Sequence, residues 1–204
     1  MRKSIDPDDP EVAFYPFLTA VVLPRPIAWV STRSREGVDN LAPHSFFTVS
    51  CVRPPIVQFT SVGRKDTLRN ATETGEFVVN FAPEPLFEAI NATATDFPPD
   101  TSEFDVLALE REPSQRVRPP RVAASPVALE CVLHSALTLG DSTIVLGRVV
   151  HAVVDVDVLI DGHPAVELLR PLSRLGRNQW GDPPTSRQID RIPYAKWLAA
   201  RDGA

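Results

Sequence analysis

Short runs of β-branched and aromatic residues, separated by Pro and Gly, dominate the hydrophobic pattern of the chain. Runs of this length and composition are typical of β-strands. The predicted strands cover residues 27–32, 46–52, 56–62, 77–81, 126–139 and 143–158. Residues 140–142 (Gly-Asp-Ser) predict a hairpin turn between the last two. Because helices do not alternate with these strands, the pattern favours a closed or nearly closed antiparallel barrel over a parallel sheet.

Helical patterns are sparse and short. The predicted helices lie at residues 66–74, at 84–93 and from 101 onward. The first has Asp66 or Thr67 as its N-cap and Gly75 as its stop. The predicted fold class is therefore mainly β (α+β), with a few short helices.

The length of 204 residues fits one domain over 1–204, with a core of about 15–180 and a C-terminal tail at 181–204. Residues 95–125 are rich in Pro and charge. They predict an excursion on the barrel surface, and the alternative is a flap over a site or part of a dimer contact.

Composition and charge narrow the function classes. The net charge of −5 argues against nucleic acid as the main partner, because a phosphate backbone requires a basic face. No apolar run approaches a membrane span, and the first residues lack the apolar stretch of a signal peptide, so we expect a cytoplasmic protein. Cys51 and Cys131 lie in strand-like runs, which predicts buried, reduced thiols, and no spacing indicates a metal site.

One stretch has the residue types that a phosphate monoester requires. Ser61, Arg64, Lys65 and Thr67 supply donors and positive charge where a helix is predicted to begin, and helix N-termini bind anions through free N–H groups. Asp66 would be a poor phosphate neighbour, so it is assigned to capping. The alternative interpretation is an exposed charged turn.

Two other stretches carry groups suited to a planar ligand. Asn40 and Ser45 can hydrogen-bond a heterocycle or a polyol chain, and Ala42-Pro43 leaves room for a flat ring. The alternative is a β-turn with Asn in a favoured position. Ser31 and Thr32 end a predicted strand, where their hydroxyls could reach a ligand.

The order of these stretches carries a resemblance to a known family. The motifs are RPIAWVST (25–32), NLAPHSFF (40–47) and SVGRKDTLRNATETGEFVVN (61–80), followed by SEFD, SPVALEC, IVLGRVVH and PLSRLGRNQW. Together they resemble the flavin reductase-like family, over residues 15 to 180. The resemblance implies an antiparallel FMN-binding split β-barrel of Greek-key type, within a homodimer.

The resemblance also implies which residues contact the flavin. They are Ser31, Thr32, Asn40, Leu41, Ala42, Ser45, Phe46, Phe47, Ser61, Lys65, Asp66, Thr67 and Arg174. His44 stands where relatives usually carry an aromatic side chain. It either changes the polarity beside the flavin ring or faces solvent or the dimer partner. Trp180 either shields a substrate pocket or packs structurally.

The implied activity is hydride transfer from NADH or NADPH to N5 of the flavin. The cofactors carry that chemistry, so no catalytic side chain is expected. The electron acceptor would be a partner monooxygenase, a redox protein or a small molecule. One alternative is a non-catalytic, flavoredoxin-like electron carrier, and another is a barrel without flavin that serves as a binding or dimerisation module.

Overall fold

The computed structural model describes residues 1–202. The strands are β1 (Arg25–Pro26), β2 (Ala28–Arg33), β3 (Asp39–His44), β4 (Phe47–Cys51), β5 (Ile56–Val62), β6 (Glu76–Asn80), β7 (Arg111–Glu112), β8 (Arg121–Val122), β9 (Val127–Leu139), β10 (Ser142–Val154), β11 (Leu159–Ile160), β12 (His163–Pro164), β13 (Ser173–Arg174) and β14 (Trp180–Gly181). The helices are α1 (Phe14–Val21), α2 (Asp66–Thr74), α3 (Phe87–Ala92), α4 (Glu103–Val106), α5 (Val166–Leu169) and α6 (Tyr194–Asp202). Short 3₁₀ turns cover Glu84–Leu86 and Val156–Val158.

A seven-stranded antiparallel sheet forms the centre of the molecule. Its order is β3-β2-β6-β9-β10-β5-β4, and every neighbouring pair runs antiparallel. The two outer strands, β3 and β4, follow each other in sequence and are separated only by Ser45 and Phe46. The predicted mainly-β, antiparallel architecture is therefore confirmed.

Alternation along β2 divides the interior into two apolar clusters. Ala28 and Val30 belong to a cluster inside the curved sheet that also contains Phe59 and Phe77. Trp29 belongs to a second cluster, which packs beneath α3 and α4. Successive strand residues face opposite sides, so a strand buried on both faces reads as a continuous apolar run.

Several predicted elements match the structure closely. The helix α2 and the strand β5 have the predicted bounds, and Gly75 ends α2 in the left-handed conformation with φ of 75°. The strand predicted to reach residue 158 ends at Val154, because residues 156–158 form a 3₁₀ turn. Residues 84–93 divide into a 3₁₀ turn and α3.

Three elements differ from the sequence-based expectation. The strand β3 occupies residues that predicted a turn or an extended approach to a strand, and α1 and α6 were not predicted. The C-terminal segment contains β14 and α6, and residues 203–204 of the predicted tail lie outside the described residues.

The two thiols have different surroundings. Cys131 is free and buried, and burial raises its pKa to about 12. Cys51 is free but only half-buried, so the prediction of a buried thiol is wrong at that position because the end of β4 is partly open to solvent.

Two classes of feature are absent from the part of the chain that the structure describes. No helix in residues 1–202 has the length and apolar character needed to span a membrane. The same residues hold no group of three or more His, Cys, Asp or Glu side chains placed to bind a metal ion.

Candidate functional site

A cleft of about 290 Å³ opens between the N-terminus of α2, the strand β3 and the segment at residues 93–103. Its walls bring together backbone from four separate parts of the chain. The lining residues are Tyr15, Asn40, Ala42, Pro43, His44, Ser45, Phe46, Thr60, Val62, Lys65, Asp66, Thr67, Thr93, Ala94, Thr95, Asp96, Phe97 and Glu103.

The N-terminus of α2 forms one end of the cleft. Lys65 is the N-cap residue in extended backbone (φ −86°, ψ 168°), and no side chain caps the helix. The first-turn N–H groups of a helix have no acceptor within the helix. Within the described residues these amides therefore remain available to bind an anion at the cleft wall.

Neither Asp66 nor Thr67 is the N-cap, so the assignment of that role to either residue is wrong. Both already lie within the helix, and a capping residue must lie outside it. The Asp66 carboxylate instead pairs with Arg69 one turn further on, at 2.5 Å. That pairing offsets the negative charge that would otherwise oppose an anion at this end of the cleft.

Lys65 is the one cation among the described residues that line the cleft. Its ammonium lies 3.1 Å from Oδ1 of Asp96 on the opposite wall. Both side chains are well exposed, at 57% for Lys65 and 91% for Asp96. Exposed ion pairs contribute little stability. The Lys65 ammonium can therefore leave Asp96 for a ligand anion at a small cost in free energy.

Thr67 and Asn40 connect α2 to β3 inside the cleft. Asn40 donates from Nδ2 to Oγ1 of Thr67 at 3.0 Å, and both side chains are buried. The Thr67 hydroxyl retains its own hydrogen to donate. This end of the cleft therefore offers an ammonium, a hydroxyl and free amides, which is a donor set for an anion.

His44 is buried, with 8% of its surface exposed. Its ring packs on Phe59 with centroids 4.7 Å apart, and its Nε2 atom has no hydrogen-bond partner within the described residues. Burial lowers the pKa of His44 to about 4. The expectation that His44 faces solvent is thus wrong, because β3 turns this side chain inward, and the imidazole is neutral at pH 7.

Glu103, the first residue of α4, supplies a buried carboxylate to the cleft. Its Oε2 atom accepts the Leu41 N–H at 2.8 Å, which ties α4 to β3. Burial raises the pKa of Glu103, and the Leu41 N–H bond opposes part of that rise. The sequence motif SEFD marked a helix start here but gave no sign of a buried carboxyl.

The cleft brings together about half of the residues expected to contact flavin. Those that line it are Asn40, Ala42, Ser45, Phe46, Lys65, Asp66 and Thr67. Each comes from β3, from the link to β4, or from the first turn of α2. These are the segments whose sequence order carries the family resemblance.

Six expected contacts are not brought to the cleft. Ser31 donates to the Pro120 carbonyl at 2.5 Å, Thr32 accepts from Asn70 at 3.1 Å, and Ser61 donates to the Gly63 carbonyl at 3.0 Å. All three side chains are buried, and none of them lines the cleft. Ser31 and Ser61 use their hydroxyl hydrogens within the protein, whereas the Thr32 hydroxyl accepts only.

The other three lie elsewhere for different reasons. Leu41 points into the second apolar cluster, and Phe47 packs against the first. Arg174 donates to the Arg177 carbonyl at 2.9 Å and lies over the ring of Trp180 at 4.7 Å. Trp180 itself packs edge-on against Phe87, so it has a packing role and does not line the cleft.

The segment at residues 95–125 contributes to both the interior and the cleft. Phe104, Val117 and Val122 are buried, and Arg111 connects the segment to Asp39 of β3 at 3.1 Å. The cleft wall at 93–97 includes the start of the segment for which a flap over a site was the alternative to a surface excursion. Nothing in the sequence pattern of residues 93–97 places them against α2.

Comparison with known protein families matches most of the chain to one domain. Residues 20–166 match the model of the flavin reductase like domain. An uncharacterized protein of Halalkalibacterium halodurans is 40% identical over 189 residues, which cover 87% of this chain and 90% of that protein.

Two crystal structures show the same architecture. Nitrilotriacetate monooxygenase component B from Bacillus cereus is 35% identical with a TM-score of 0.87, covering 94% of this chain and 99% of that one. The 2-nitrobenzoate 2-nitroreductase of Pseudomonas fluorescens is 30% identical with a TM-score of 0.79, covering 89% and 91%. The predicted split barrel is therefore confirmed, and the chain belongs to the flavin reductase-like domain family.

Proposed function

We propose that the chain binds FMN in this cleft and acts as an NAD(P)H-dependent flavin reductase. The observation that carries the proposal is the uncapped N-terminus of α2, which faces a cleft beside Lys65 and Thr67. An anion-binding end and a wall of backbone and small side chains from β3 fit a ligand that joins a phosphate to a flat ring.

The phosphate belongs at the α2 end. There the first-turn amides, the Lys65 ammonium and the Thr67 hydroxyl supply donors. Asp66 is held by Arg69 and so presents less negative charge to the ligand. Lys65 exchanges its exposed partner Asp96 for the phosphate.

The ring belongs along β3 and its link to β4. Ala42, Ser45 and Phe46 line this part of the cleft, and the neutral His44 adds a polar but uncharged wall. Pro43 has no N–H, which leaves fewer unpaired donors against a flat ligand. These residues would hold the ring in the cleft.

When bound, FMN supplies the hydride-accepting chemistry at N5. The chain's own residues bind and orient the cofactor, and none is required as nucleophile or general base. Since one relative is a component of nitrilotriacetate monooxygenase, a monooxygenase that uses reduced flavin is the partner class we propose.

The test is the visible absorption spectrum of the purified protein with added FMN, followed under anaerobic conditions with NADH or NADPH. We expect rapid bleaching by at least one nicotinamide. Slow bleaching with both nicotinamides, together with fast reduction by a redox protein, would instead establish an electron carrier. A protein that takes up no FMN would overturn the proposal.

Lys65→Ala tests the phosphate end directly. A charged hydrogen bond contributes about 1.5–3 kcal/mol, and because Lys65 is largely exposed we expect the lower figure, roughly a tenfold loss of FMN affinity. Riboflavin, which lacks the phosphate, should bind unchanged in a fluorescence titration. Arg64→Ala is the matched control. The sequence also suggested Arg64 as a phosphate donor, but its side chain is exposed and does not line the cleft, so its loss should change FMN affinity little. Equal losses for both flavins would contradict the assignment.

A further inference from the structure

We propose that Glu103 is a specificity-determining residue that binds the polyol chain of the ligand through its second carboxyl oxygen. The proposal rests on the proposed function, since it takes the ligand in the cleft to be a flavin. It adds a contact from the 95–125 segment, at a residue of the SEFD motif to which the resemblance assigns no flavin contact.

The position of Glu103 is fixed from two sides. Its Oε2 atom accepts the Leu41 N–H of β3 at 2.8 Å, and the residue is 6% exposed. The preceding residue, Ser102, accepts from Nη2 of Arg111 at 2.9 Å, and Arg111 also pairs with Asp39 of β3. The carboxyl is therefore rigidly placed on the cleft wall before any ligand arrives.

The carboxyl keeps unused acceptor capacity. Oε2 accepts the Leu41 N–H, and the other hydrogen bond to this carboxyl within the described chain comes from the residue's own backbone N–H. An ionised carboxylate has about four acceptor sites, and buried polar groups normally have hydrogen-bond partners. A buried carboxyl with open acceptor sites on the wall of a ligand-sized cleft indicates a donor supplied by the ligand.

The electrostatics decide which part of the ligand that donor belongs to. A carboxylate repels a phosphate, and the phosphate donors lie at the α2 end. The pKa of Glu103 is raised mainly by burial, and the nearby charge of Asp66 in the first turn of α2 adds a smaller part of that rise. The ligand group at Glu103 must therefore be a neutral donor close to the anion end. In FMN, the hydroxyls of the ribityl chain occupy that position between phosphate and ring.

The ring also has one N–H donor, so the experiment must separate ring from chain. The probes are lumiflavin, which has the ring alone, riboflavin, which adds the hydroxyls, and FMN, which adds the phosphate. Their dissociation constants are measured by fluorescence titration against wild type, Glu103→Gln and Asp105→Asn. Gln keeps an oxygen for Leu41 but replaces the second acceptor by an amide donor.

We expect Glu103→Gln to weaken the binding of riboflavin and of FMN by the same factor, about five- to tenfold. The dissociation constant of lumiflavin should stay within twofold of the wild-type value. Asp105→Asn lies on the same helix, is exposed and outside the cleft, and keeps an oxygen to accept from its partner Arg111, so it should change none of the three. If Glu103→Gln unfolds at a much lower temperature, Glu103→Asp replaces it, and the same ratio between ligands is expected.

Three results would overturn the proposal. An equal loss of affinity for lumiflavin would mean that the carboxyl contacts the ring or has only a structural role. A loss of affinity for FMN alone would mean that the carboxyl acts on the phosphate. Unchanged affinity for all three flavins would mean that Glu103 does not contribute to binding. Failure of the proposed function is distinct, because wild type would then bind none of the three flavins.

Discussion

His44 shows how one buried residue sets a property of the molecule. Its imidazole is enclosed by the barrel wall and packs on Phe59, and its pKa falls to about 4 because burial disfavours the charged ring. The unfolded chain has no such enclosure, so the imidazole there titrates near its ordinary value of 6.5. The two states therefore bind different numbers of protons between pH 6.5 and pH 4.

This difference predicts an acid-sensitive stability. Because the unfolded state binds more protons in this range, the free energy of unfolding falls as the pH drops from 6.5 toward 4, by up to about 3 kcal/mol. His44→Phe, which keeps an aromatic ring against Phe59, should lack this loss. Urea denaturation of the ligand-free protein at pH 7 and pH 5 measures it.

The control is His134→Gln, since His134 is exposed on β9. This variant should lose stability with acid as the wild type does. An identical pH dependence in wild type and His44→Phe would show that the imidazole is not enclosed in solution.

Single residues at the site were predictable to different degrees. Lys65 and Thr67 were found because a basic, hydroxyl-rich stretch before a helix already indicates an anion site. The burial of His44 and Glu103 was not, because it depends on which side β3 turns inward and on the docking of α4. The burial of Ser31 and Thr32 was not predictable for a related reason, since a polar residue in a strand gives no sign of whether a neighbouring segment covers it. Their contact with flavin stays a prediction.

At the scale of elements, β10 and β6 approach closely at a glycine. A Cβ atom on Gly147 would lie 2.2 Å from Cζ of Phe77 and 3.0 Å from Cβ of Cys131. The register between β9 and β10 also shifts between Leu146 and Gly147. The fully buried Phe77 ring thus fills the space that a side chain at position 147 would need.

Gly147→Ala should therefore destabilise the protein by about 1–3 kcal/mol, the usual cost of overpacking a well-filled core. The measurement is the denaturation midpoint in urea. Gly147→Ala should cost less stability when it is added to Phe77→Leu than when it is added to wild type, because leucine removes the ring atoms that the new methyl group would meet. A single variant with an unchanged midpoint would mean that the two strands do not approach this closely.

Elements with uniform patterns were predictable, and mixed ones were not. The helix α2 has a clear stop at Gly75, and β5 is a run rich in β-branched and aromatic residues that is bounded by Pro55 and Gly63. The strand β3 contains Asn40, Pro43 and His44, which are uncommon in strands, and it is held there by its pairing with β2. Pairing between strands is a tertiary effect that a local pattern does not contain.

At the scale of the whole molecule, the number and spacing of the strands were enough to indicate an antiparallel barrel. The sheet order could not be predicted, because β6 pairs with β2 and β9, which both lie tens of residues away from it along the chain. The cleft exists only because this order brings α2, β3 and the 93–103 segment to one place. Its anion end could be predicted from one local stretch, whereas its far wall required the complete fold.

The bond between Glu103 and Leu41 also bears on how the protein resists aggregation. β3 is an outer strand of the large sheet, and unpaired backbone at such an edge can recruit a strand from another molecule. The Leu41 N–H, which points away from β2, is already occupied by the carboxylate, and two residues further along the same side Pro43 has no N–H to offer. The edge nearest the cleft therefore presents few donors to a foreign strand, and the group that shields it is a carboxylate from the chain itself.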